Sequence, residues 1–219
     1  MIQRLALLPL VLLAVAPAAL AAEPAGAHFL PEFTNRSIVR VGDNLFLVRD
    51  PLIFRLSGDP VEITVPAGFV TDLASIPKKL HWWEGKVDRS MPAAIVHDYL
   101  YWYGPCTRAE ADAVLWLGMR TMRMSNSKVK LVYRGVRRFG KGSYDENSEL
   151  RRGGQIRTLL GEQVSPLVAQ GTNPDEKLDS LLARLSAAGH LVQLESSPES
   201  VKAACSLALT ICKSCDTRE

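Results

Sequence analysis

The chain has 219 residues, 47% of them hydrophobic and 22% charged, and a formal net charge of +3. This suits a folded domain of about 100–150 residues with extensions. So mild a charge gives no argument for a nucleic-acid partner, and none is expected.

Arg4 is the only charge before Glu23, and the apolar run from Leu5 to Ala16 is short for a membrane span. Ala19-Leu20-Ala21 has the small-x-small pattern of a cleavage site. Residues 1–21 therefore read as a signal peptide, with a retained membrane anchor as the lesser alternative. Export places the mature protein in the periplasm or outside the cell.

Residues 22–35 are rich in Pro and Ala and read as a flexible leader. A core domain is expected over 36–145. Its first part carries β-formers at Asn44–Val48 and Leu52–Leu56, then Glu62–Val65, which alternates polar and apolar. Asp50-Pro51 and Ser57-Gly58-Asp59-Pro60 mark breaks. A small antiparallel sheet of about three strands follows. Pro66 and Gly68 end the last strand. Asp72 then either caps a short helical turn, with Ser75 close by and Pro77 as the stop, or presents a carboxylate from a tight loop. The segment from Lys78 to Arg89 is polar, and its Trp82-Trp83 pair suits a groove, a membrane surface or packing on helices.

Ala93 to Tyr103, followed by Gly104-Pro105-Cys106 and then Thr107 to Asp112, reads as a helical hairpin. Ser90 can cap the first helix, and Pro92 is tolerated in its first turn. Gly104-Pro105 stops it. Thr107 and Glu110 have capping-box spacing, so the second helix starts at Thr107. His97 lies about 9 Å before the turn and Asp112 about 8 Å after it, at 1.5 Å per residue. An antiparallel pair sets them face to face. The carboxylate would fix the imidazole tautomer, which suits a general base or a structural bridge. Asp98 points about 100° away from His97, toward another partner. A hard cation is one candidate.

A third helix is expected over 128–144, ending at Gly140-Lys141-Gly142. Val129, Val132, Val136 and Phe139 form its apolar stripe. Lys130, Arg134, Arg137, Arg138 and Lys141 lie off it. They read as a solvated basic face or as a contact for an anionic surface. Residues 146–173 read as a linker with some helix, and 174–219 as a separate helical module. The four cysteines, Cys106, Cys205, Cys212 and Cys215, allow three pairings. One or two structural disulfides are expected, ahead of metal or redox use of the terminal C-x-x-C. The fold class expected is α+β.

The order Pro66-x-Gly68-Phe69-x-Thr71-Asp72-x-Ala74-Ser75-x-Pro77, His97-Asp98-Tyr99-Leu100-Tyr101, Arg108-x-x-x-Asp112 and Val136-x-x-Phe139-Gly140 resembles an uncharacterised family of short bacterial and phage proteins. That family is a domain of unknown function, and the resemblance covers about residues 40–145. A more distant resemblance is to secreted phospholipases A2, above all the short prokaryotic ones. It implies His97 as the base that activates water and Asp112 as its orienting partner. Tyr101 would support that carboxylate, with Asp98 and Asp72 as Ca²⁺ ligands. The chain departs from this pattern in lacking the glycine-rich calcium loop and a cysteine before His97. The loop between the helices is also shorter.

The first functional expectation is thus an exported, calcium-dependent lipid esterase acting on phospholipid. The alternative is a cell-wall hydrolase with Zn²⁺ or another divalent metal at His97, Asp72 and Asp112 or Asp98, with His81 as a further ligand. The third is a non-enzymatic, phage-derived structural or binding module.

Overall fold

A computed structural model describes residues 27–30, 37–56, 61–74, 76, 90–194 and 197–212. The expected signal peptide, Ser75, Pro77, His81, Trp82-Trp83 and Cys215 lie outside the described residues. The fold is α+β, as its sequence pattern predicts.

Two small antiparallel sheets replace the single sheet expected. In the first, β4 (Leu52–Leu56) lies between β1 (Ala27–Leu30) and β5 (Glu62–Val65). Leu52, Phe54 and Leu56 alternate inward along β4, and Ile63 and Val65 do so along β5. The expected leader thus supplies a strand. In the second, β3 (Phe46–Val48) lies between β2 (Ile38–Arg40) and β6 (Val70–Thr71).

Helix α1 (Met91–Tyr103) is the centre of the molecule. Every residue from Met91 to Trp102 is buried, so this helix has no solvent face to spare. Gly104, at φ +74°, ends it in the left-handed conformation and returns its N–H to Leu100 O. The hydroxyl of Ser90 does not cap it. That oxygen is buried and unbonded, because Ser90 itself has helical backbone angles. Helix α2 (Arg108–Thr121) opens with the full Thr107–Glu110 capping box.

The third helix is broken in two. α3 (Asn126–Phe139) and α4 (Lys141–Arg152) meet at Gly140. A Cβ at Gly140 would come within 2.7 Å of the Tyr101 hydroxyl and 2.6 Å of Val136 O. The apolar stripe of α3 is Val129, Val132, Tyr133 and Val136. Phe139, expected on that stripe, is 64% exposed, since the helix ends there and turns away.

The expected linker and tail module are built into the body. α5 (Gly161–Gln170) and α6 (Leu178–Ala187) close a second core. Val164, Leu167, Leu181, Leu182 and Leu185 there pack with Leu47 and Val70 of the second sheet and with Leu45 just before β3. α7 (Pro198–Cys212) packs instead on α2 and β5. A Cys106–Cys205 disulfide staples it to the hairpin turn. It closes a loop of 99 residues, a length at which cross-linking the unfolded chain stabilises by roughly 4–5 kcal/mol in the entropic model. Cys212 is also disulfide-bonded.

Glu110 completes the α7 dock. It accepts from Thr107 N (2.7 Å), Lys202 Nζ (2.6 Å) and Ser206 Oγ (2.7 Å). Burial alone would raise its carboxyl. The hydrogen bonds from Lys202, Ser206 and Thr107 outweigh that and lower it from 4.5 to about 2. A depressed carboxyl contributes stability above its unfolded value and loses it as pH falls through the folded one. Glu110→Gln is therefore expected to lower the urea midpoint at pH 7. The gap from wild type should close between pH 4.5 and about 2, as read by urea melts across that range.

Candidate functional site

The hairpin brings the predicted pair together. His97 Nε2 donates to Asp112 Oδ1 at 3.0 Å, and the Tyr101 hydroxyl donates to the same oxygen at 2.7 Å. The turn sets this meeting, because α1 stops at Tyr103 and α2 starts after Thr107, as the sequence predicts. Burial, then Asp112, raises the Tyr101 hydroxyl well above the usual tyrosine range. It therefore stays protonated and serves as a donor only to this carboxylate.

Two arginines face the other oxygen. Arg108 Nη1 is 3.5 Å and Arg137 Nη1 4.0 Å from Asp112 Oδ2, which accepts no hydrogen bond. Arg108 sits one helical turn before Asp112. Its Nη1 also donates to Val136 O (3.2 Å) and Arg137 O (2.9 Å) at the end of α3. A guanidinium there satisfies terminal carbonyls and sits at the negative end of the helix dipole. The i,i+4 spacing of Arg108 and Asp112 carried this signal in the sequence. Arg137 was read there only as part of a basic face.

His97 and Asp112 both have no exposed surface. Neither lines the two clefts described below. Their burial follows from the all-round enclosure of α1.

Asp98 turns to the opposite side and meets the loop before the hairpin. The Thr71 hydroxyl donates to Asp98 Oδ2 in a short hydrogen bond. The same hydroxyl accepts from Leu73 N at 3.0 Å. This holds buried Leu73 at φ +56°, a strained setting for a branched residue that costs of order 1–3 kcal/mol. Asp72 is not a helix cap. Its carboxylate accepts from Ala74 N at 3.2 Å, an Asx-type turn of the loop.

Arg157, from the stretch expected as linker, is the residue sequence reasoning missed. Its segment pairs with the 68–70 loop through Val70 N to Arg157 O and Leu159 N to Gly68 O, both 2.9 Å. Gly68 permits this approach, since a Cβ there would lie 2.5 Å from Leu159 O. The buried guanidinium then lies 3.9 Å from Asp98 Oδ2, donates to Asn147 Oδ1 at 2.9 Å, and stacks over Trp102 at 4.4 Å. No local pattern announced it.

Asp72 and Asp98 share a cleft of about 550 Å³. Seven carboxylates line it, including Asp43, Glu146 and Asp179, against Arg157 and Lys177. Burial, then the neighbouring Asp98 charge, raises the Asp72 carboxyl; Arg157 and the Ala74 N–H pull it partly back. As a Ca²⁺ site the donor set fits poorly, because Asp98 already faces a guanidinium. Among the described residues no group of three or more His, Cys, Asp or Glu is arranged to hold a metal.

The comparisons agree with the motif order. Residues 46–136 match the family model described as a protein of unknown function, DUF1353. Arg157 and Asn147 lie beyond the match. No curated protein and no solved structure matches the chain.

A raised carboxyl favours its protonated form in the folded state, so folding gains as pH falls through the folded value toward 3.8. Asp72→Asn keeps an oxygen for Ala74 N–H and removes the charge. It is expected to raise the melting temperature at pH 7 by a few degrees. The gain should vanish below pH 3.8, as followed by thermal melts across pH.

Proposed function

We propose that the chain is an exported, non-enzymatic binding module, in which His97 and Asp112 form a structural clasp. The observation that carries this reading is the complete burial of both side chains inside the α1–α2 hairpin. A general base needs its proton donor within hydrogen-bond reach. Here the imidazole meets a carboxylate that Tyr101, Arg108 and Arg137 already surround. Export is supported by the apolar N-terminal run and by disulfides that suit an oxidising compartment. Contact with an anionic envelope surface is supported by Lys130, Arg134, Arg137, Arg138 and Lys141, with exposed Leu131 and Phe139 beside them.

One observation favours a hydrolytic reading at a different place. Asp72 lines a cleft beside Asp98, and burial with the Asp98 charge raises its carboxyl; two neighbouring carboxyl groups with one of them raised are the pairing of glycoside hydrolysis. Asp72, and not His97, would then be the acid.

The test measures fatty-acid release from phospholipid vesicles and clearing of peptidoglycan, each with Ca²⁺, with Zn²⁺ and with chelator. No turnover is expected in any arm. Asp112→Ala should cost about 3–5 kcal/mol of stability, because it strips the partner from buried groups; chemical melts read this. Turnover that His97→Ala abolishes, with the fold intact by circular dichroism, sinks the clasp reading. Turnover lost only in Asp72→Asn establishes the acid-cleft reading instead.

A further inference from the structure

A second cleft, of about 460 Å³, opens between the α1–α2 turn, the end of α4 and the segment around Val192. Arg151, Arg152 and Arg157 line it, and no carboxylate does. Tyr103 and Trp102 give it an aromatic wall, and Leu194, 47% exposed, an apolar rim. It falls mostly outside the matched family region.

Two of the three guanidiniums are fixed in place. Arg151 Nη1 donates to Trp102 O at 2.6 Å. It lies against the backbone of Gly104, where a Cβ would come within 1.9 Å of that nitrogen. Arg157 is held by Asn147 and by the Trp102 ring. Arg152 donates Nε to Ser148 O at 3.2 Å and is otherwise exposed. Each guanidinium carries five N–H donors, so Arg151 and Arg152 keep donors to offer a ligand. Gln155 Oε1, in the same wall, is buried without a hydrogen-bond partner. Such an orphan acceptor takes a donor, so it marks a place for a water or a ligand O–H or N–H and not for the anionic head itself.

We propose that this cleft binds a small organic anion: a carboxylate or phosphate head held by Arg151 and Arg152, with a planar apolar body against Tyr103 and Leu194. The volume suits a ligand of that size. Fixed guanidiniums suit an oxyanion, which they can meet through paired N–H donors. The proposal rests on the binding-module reading and names its ligand class.

The experiment titrates the full chain by calorimetry with 2-naphthoate, 2-naphthyl phosphate, 2-naphthol and 2-naphthylmethylamine. At least one anion is expected to bind, with the alcohol and amine at least about tenfold weaker. Binding of the carboxylate alone, or of the phosphate alone, assigns the head group. Arg152→Glu and the milder Arg152→Gln, both at an exposed position, should weaken the anion about tenfold or more and about threefold respectively, with melting temperatures close to wild type. The proposal falls if neither anion binds at millimolar concentration, if the amine binds as well as the anions, or if both variants bind like wild type. Those failures leave the turnover assays untouched, so loss of this cleft and loss of the binding-module reading are separable.

Discussion

A carboxylate with no exposed surface lies between two apolar helices, and the middle of the molecule is arranged to keep it there. Taking Asp112 out of water costs several kcal/mol, so its partners must come from every side. Tyr101 and His97 come from the facing helix, Arg108 from one turn back, and Arg137 from the end of α3. Gly140 belongs to the same arrangement. It lets the α3–α4 junction lie against the Tyr101 hydroxyl. The histidine motif, the Arg-x-x-x-Asp motif and the Phe-Gly motif are thus parts of one buried polar centre. Such centres fix geometry more than they add stability, because a half-satisfied one is costly.

The neighbouring carboxylate does related work on the other side of α1. Asp98 ties the helix to the Thr71–Ala74 loop and, through Arg157, to a segment more than a domain motif away. The Thr71 hydroxyl gives its proton to Asp98 and accepts the Leu73 amide, so one side chain holds both the helix and the strained turn. His97 and Asp98, neighbours on one fully enclosed helix, therefore clamp separate parts of the chain. That arrangement explains why both can be buried.

The hairpin was legible in the sequence because its determinants are local. Pro92, Gly104 and the Thr107–Glu110 box set the ends, and helical rise then sets His97 opposite Asp112 at 3.0 Å. The basic partners were legible only in part. Arg108 stands at helical spacing from Asp112, whereas Arg137 could be placed only as surface. Whether the pair faces water was not legible, since that depends on the sheets, α4 and α7 closing around α1 from distant parts of the chain. The stretch 146–173 misled through composition. Its Gly, Arg and Gln suggested a linker, while backbone pairing of 157–159 with 68–70 makes it part of the core. Phe139 failed for a local reason: the stripe ends one turn before the helix does.

Arg157 also divides two clefts of opposite sign. On one side lie seven carboxylates with Lys177, and on the other Arg151, Arg152 and an aromatic wall. A single buried guanidinium serves both. It offsets Asp98 on the acidic side, and over Trp102 it adds positive charge to the basic side. Charges facing a low-dielectric wall are felt across it more strongly than in water. Its charge is therefore felt in both clefts at once, by Asp98 and Asp72 on one side and by any anion on the other.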